Sequence, residues 1–68
     1  MAELSNRLRE LRAERDLTQA ALAEAVGVSR KTINTVENGV FVPSTTLALK
    51  LAAALGCRVE DVFSLSQE

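Results

Sequence analysis

The residues of this sequence that could do chemistry sit close together, in the run SRKTINT at residues 29–35. Arg30 and Lys31 carry positive charge and only donate hydrogen bonds, Asn34 both donates and accepts, and Thr35 joins a hydroxyl to a methyl group. Such a set can recognise a polar or anionic surface, but it holds no nucleophile or general base able to make or break a bond. The rest of the chain supplies none either: there is no histidine, a single cysteine, no phosphate-cradling glycine loop and no pair of carboxylates with an obvious pocket. We therefore expect a protein that is not an enzyme and takes no metal or cofactor, with Cys57 a small core residue.

A recognition face needs a helix whose other side is hidden. At ~100° per residue, Ile33 and Val36 fall opposite Arg30, Lys31, Asn34 and Thr35. The sequence thus predicts a helix over about 29–37, capped by Ser29 and ended by Asn38 and Gly39. Before it, Thr18 caps a helix over about 18–25 with Leu22 and Val26 as its apolar stripe, and Gly27 permits a left-handed turn. Leu4, Leu8 and Leu11 at i, i+4, i+7 predict a first helix over about 3–15, broken at Asp16. Pro43 and Ser44 open a fourth over about 44–55, carried by Leu47, Leu51 and Leu55 to Gly56, and a fifth covers about 59–63. Residues 64–68 are left as a polar tail, because the alternation of Phe63 and Leu65 is too short to assign a strand. Phe41, in the apolar joint Val40-Phe41-Val42, is expected to pack onto the bundle.

Length and composition agree with one all-α domain over residues 1–68, a compact five-helix bundle. The chain is 47% hydrophobic but only 3% aromatic, which favours helices over strands. A lone cysteine excludes an internal disulfide, no charged-then-apolar leader opens the chain, and no run approaches the ~18 apolar residues of a membrane span, so a cytoplasmic location away from membranes is expected. The net charge of −1 argues against a generic polycation. Six of the eight basic residues lie within the first 31, but five acids lie there too, so any nucleic-acid surface must be local.

Two short helices joined by a glycine turn, the second showing polar side chains outward, form the helix-turn-helix arrangement that lays its second helix in the DNA major groove. The run LTQAALAEAVGVSRKTINTVENG, followed by PSTTLALKLAAALG and VEDVF, closely resembles the Cro/repressor-type helix-turn-helix regulators, also called the xenobiotic response element family. The resemblance spans about Leu4 to Leu65. It implies a five-helix bundle of the phage-repressor type and a DNA-binding protein that dimerises on near-palindromic operators.

Carried over position by position, Gln19 matches a glutamine that typically hydrogen-bonds a DNA phosphate, and Ser29, Arg30, Lys31, Asn34 and Thr35 match groove-facing positions. Arg30 or Lys31 could donate to guanine O6 and N7, Asn34 could pair bidentately with adenine, and the Thr35 methyl could meet a thymine methyl. Arg12 and Glu37 match positions that form an internal ion pair between the first and third helices. Two residues depart from the pattern: Val40 replaces a Lys or Arg that would reach a phosphate, and Arg58 replaces a Ser or Thr cap. Arg7 and Arg9, among glutamates, read as solvated. Leu49, Phe63 and Leu65 are left over after the core stripes are assigned and are the expected dimer interface.

The expectation is a sequence-specific, DNA-binding transcriptional regulator, a repressor acting as a homodimer on double-stranded DNA, with no small-molecule ligand evident. The alternatives are an antitoxin-type interaction module and the DNA-binding head of a longer regulator.

Overall fold

The structure is a computed structural model that describes residues 3–66. In chain order it comprises β1 (Glu3–Asn6), α1 (Leu8–Glu14), α2 (Gln19–Val26), α3 (Arg30–Glu37), α4 (Thr45–Leu55), α5 (Val59–Val62) and β2 (Phe63–Ser66). The five expected helices are present, and a two-stranded sheet corrects the all-α expectation. β1 and β2 pair antiparallel, with Glu3 opposite Ser66, Leu4 opposite Leu65 and Asn6 opposite Phe63.

The first helix accordingly begins at Leu8 rather than near residue 3. Asn6 is the physical reason: its Oδ1 accepts from the Leu8 N–H at 3.0 Å, while its Nδ2 donates to the Val36 carbonyl at 3.0 Å. A short amide side chain that takes a helix-starting N–H ends the helix there. Leu4 thus leaves the apolar stripe and stays 40% exposed, whereas Leu8 and Leu11 enter the core. At the other end the expected helical Phe63 is extended and starts β2, taking Ser64–Ser66 of the expected tail into the sheet; Gln67 and Glu68 lie outside the described residues.

Three helices carry hydroxyl caps of one design. Thr18, Ser29 and Ser44 accept from the N–H three residues on, at Ala21, Thr32 and Leu47, over 2.9, 3.1 and 3.1 Å. Such a cap is worth about 1 kcal/mol. α5 has half a capping box: the Arg58 N–H donates to Asp61 Oδ2 at 3.0 Å, but a guanidinium has no acceptor with which to reciprocate.

Leu8, Leu22, Ile33, Leu51, Leu55, Val36 and Val62 are the largest fully buried side chains, so every helix contributes to one core, with Cys57 packed at its margin. Arg15 ties the end of α1 to the end of α4, donating through Nε to the Leu55 carbonyl and through Nη1 to the Leu11 carbonyl at 3.2 Å. Phe41 packs less than expected: one side lines a small hollow with Val36 and Phe63, yet 47% of it is exposed. Among the described residues no helix is long and apolar enough to cross a membrane.

Gly27 sets the α2–α3 joint. Its φ of 77° is left-handed, and its N–H and that of Val28 both donate to the Ala23 carbonyl, at 2.8 and 3.0 Å. An added Cβ would meet open space, so only backbone strain opposes it. Gly27→Ala should therefore cost about 1–2 kcal/mol in thermal or urea unfolding while leaving the helical spectrum unchanged. A loss well above that range would mean that the turn depends on more than its left-handed backbone.

Candidate nucleic-acid interface

α3 divides its residues cleanly. Ile33 and Val36 are 0% and 1% exposed, while Arg30, Lys31 and Asn34 stand in solvent. Arg30 and Lys31 form no hydrogen bond or ion pair with the other described residues, so their donors are free for an external partner. The other two expected groove residues, Ser29 and Thr35, are engaged in local hydrogen bonds. The Ser29 hydroxyl caps the helix and bonds Thr32 Oγ1 at 2.9 Å, and the partly buried Thr35 donates to the Thr32 carbonyl at 2.9 Å. The exposed residues of α3 itself are thus two cations and an amide.

Behind this face lies a charged hub. The Glu37 side chain has no exposed surface. Arg12 donates through Nε to its Oε2 at 2.6 Å and sends Nη1 to the Leu17 carbonyl at 2.8 Å. Gln19 Nε2 donates to Glu37 Oε1 at 3.0 Å, and Arg9 Nε reaches the same oxygen at 3.4 Å. One carboxylate therefore joins α1, α2 and α3, and fixes how the two helices of the motif sit together. Burial by itself would raise the Glu37 carboxyl; the hydrogen bonds from Arg12 and Gln19, the Arg12 charge and the Arg9 bond outweigh it and hold the group below the usual carboxylate range. Among the described residues no buried side-chain polar atom is left without a partner.

Gln19 occupies the first position of α2 and is partly buried. One of its amide hydrogens goes to Glu37; the other has no partner among the described residues. Arg9 is 58% exposed, as a solvated side chain should be, but it is also engaged within the chain. Besides Glu37 it donates through Nη2 to Asn38 Oδ1 at 2.9 Å, and Asn38 Nδ2 donates to Asn34 Oδ1 at 3.2 Å. The spacing signals were present: Arg9 and Arg12 are three apart on one helix, and Asn34 and Asn38 four apart on another. Neither pair shows which distant group it meets.

Leu49, Phe63 and Leu65 are linked through Leu4, which shares a groove with Leu49 and Phe63 and pairs with Leu65 across the sheet. Leu49 and Leu65 are 55% and 63% exposed, and Phe63 is half-buried. Cross-strand pairing puts Leu4 and Leu65 on one face of the sheet, with Ser5 and Ser64 bonded to each other on the opposite one. Leu49 and Phe63 line a shallow groove with Leu4, Val42 and Val59.

Comparison with known proteins places this geometry in context. The helix-turn-helix family model matches residues 8–62. The chain is 45% identical over 65 residues to the uncharacterised HTH-type transcriptional regulator YgzD of Bacillus subtilis, covering 96% of this chain and 98% of that protein. Among solved structures it is similar to the restriction-modification controller protein C.AhdI of Aeromonas hydrophila, with a TM-score of 0.78 and 40% identity over 81% of this chain and 83% of that one. It is also similar to the P22 c2 repressor, solved in complex with a synthetic operator, with a TM-score of 0.77 and 35% identity over 79% and 82% of the two chains.

Proposed function

This chain belongs to the helix-turn-helix family of Cro/repressor-type regulators, and on that premise we propose that it is a repressor that binds a near-palindromic DNA operator as a homodimer, with α3 in the major groove. The observation that carries the proposal is the pair Arg30 and Lys31, exposed and without a partner among the described residues on a helix whose opposite side is locked in the core. Arg30 and Lys31 donate to guanine or steer onto phosphates, Asn34 reads an adjacent base edge, and the Thr35 methyl offers contact to a thymine. Ser29 adds to the groove-facing edge chiefly as the cap that orients it. Gln19 donates its free amide hydrogen to a phosphate, which the positive end of α2 also attracts. The chain works as one domain, in the compartment that holds the DNA, the cytoplasm. The P22 c2 repressor structure, bound to its operator, supports the DNA partner; the regulator relatives do not favour an antitoxin-type role.

Dimerisation follows from affinity. One domain with two free groove cations makes too few phosphate contacts to bind tightly, and a two-fold pair doubles them on half-sites ~34 Å apart. Leu49, Phe63 and Leu65 form the contact. Leu65→Asp should convert dimer to monomer in sedimentation and weaken operator binding, with helical content unchanged because the residue is 63% exposed. A variant that still sediments as a dimer would remove Leu65 from the interface. The function itself is tested by selecting bound duplexes from a random DNA pool. A symmetric enriched site is expected; recovery of no preferred sequence would end the proposal.

A further inference from the structure

We infer that Arg9 and Asn38 are positioning residues that fix the hydrogen-bonding polarity of Asn34, making it a donor toward base edges and so selecting guanine at its contact position. The inference rests on the DNA-binding reading given above and names what that reading leaves open, the base class that Asn34 takes.

The observation is a one-way chain of hydrogen bonds. It starts at the fully covered Glu37 carboxylate, which accepts from Arg9 Nε at 3.4 Å. Arg9 then donates through Nη2 to Asn38 Oδ1 at 2.9 Å, and Asn38 donates through Nδ2 to Asn34 Oδ1 at 3.2 Å. A guanidinium has five donors and no acceptor. Asn38 can meet Arg9 only with its carbonyl oxygen, and its amino group is then left for Asn34. Asn34 must answer with its own carbonyl, which leaves its amino group as the free end.

An asparagine released from such a chain can present oxygen and nitrogen together to adenine N6 and N7. One whose oxygen already accepts from Asn38 keeps a second lone pair, but its amide is held by that bond with the amino group as the arm left free. Guanine displays two adjacent acceptors, N7 and O6, in the major groove, while adenine puts an amino donor at the second position. The free amino group therefore fits guanine, and the bidentate adenine contact expected from the family pattern is disfavoured.

Asn38→Asp tests this by reversing the chain without changing its shape. A carboxylate only accepts, so Asp at 38 would take Arg9 on one side and turn the Asn34 amino group toward itself, presenting the Asn34 oxygen to the groove. The position belonging to Asn34 is identified first, as the base pair of the selected duplex to which Asn34→Ala becomes indifferent. Relative affinities are then measured for the four bases there. Wild type should prefer guanine by about tenfold. Asn38→Asp should move the preference to adenine or cytosine, which offer amino donors, whatever its overall affinity. Arg9→Met, which leaves the Asn38 amide free to turn, should flatten the preference at that position alone, with circular dichroism confirming the fold. If Asn38→Asp keeps guanine preferred, or if Asn34→Ala changes no position, the inference is overturned while DNA binding stands. If wild type selects no sequence, the DNA reading fails and the inference falls with it.

Discussion

Replacing Glu37 by glutamine should lower the stability of the domain by about 3 kcal/mol, because it leaves Arg12 without its charged partner in a site with little access to water. In a domain this small that corresponds to a fall in melting temperature of about 12 °C or more. The acid dependence should change as well. Glu37 has a lowered carboxyl pKa in the folded state, so its stabilising contribution is present above the unfolded carboxylate range and disappears as pH falls through the folded value. Wild type should therefore lose stability between roughly pH 4.5 and the more acidic folded value, and Glu37→Gln should lack that part of the loss. Thermal melts from neutral to acidic pH compare the two. Melting of the variant within a degree or two of wild type at neutral pH would show that the hub does not hold α1, α2 and α3 together.

The second large effect concerns recognition. Arg30→Ala with Lys31→Ala removes two donors, each worth about 1–3 kcal/mol of discrimination if bidentate to a guanine, so operator affinity should drop about 30-fold or more. Neither residue has a partner among the described residues, so the melting temperature should hardly move. Affinity for the selected site and for unrelated duplex separates two roles. Loss confined to the selected site marks base reading, whereas an equal loss on both, with a shallower salt dependence, marks phosphate contacts. Unchanged affinity for the selected site would remove α3 from the interface.

The legible parts of this molecule were those written in neighbouring residues. The caps at Thr18, Ser29 and Ser44, the left-handed Gly27 and the burial of Ile33 and Val36 opposite Arg30 and Lys31 all depend on spacings of three or four residues, which a single chain displays. The sheet was not legible, because β1 finds its partner only at the far end of the chain and local periodicity extends Leu4-Leu8-Leu11 into one helix. Asn6 was missed for a related reason: its two contacts, to Leu8 and to Val36, matter only once α3 lies beside it. Arg12 with Glu37 follows from family likeness, and the structure sets the two 2.6 Å apart; Gln19 and Arg9 converging on the same carboxylate is a three-helix event that no spacing announces. The apolar joint misled in the other direction, since Phe41 has the composition of a core residue and only half the burial.

The strand pair stitches the two ends of the described chain to each other. Glu3 faces Ser66, and the ladder continues inward as the Arg7 N–H donates to the Val62 carbonyl at 2.8 Å. The fold is in effect a closed ring fastened by a short zipper, and the loop that zipper closes takes in all five helices. Because entropy opposes long loops, the fastening is the natural last step of folding and the first place to fray. Polypeptide entering at Glu3 and polypeptide leaving at Ser66 do so side by side, at the same margin of the molecule as Leu4 and Leu65. Anything attached to either end would therefore lie beside the apolar face, so a fusion or tag could mask or extend that face from the amino or the carboxyl terminus alike.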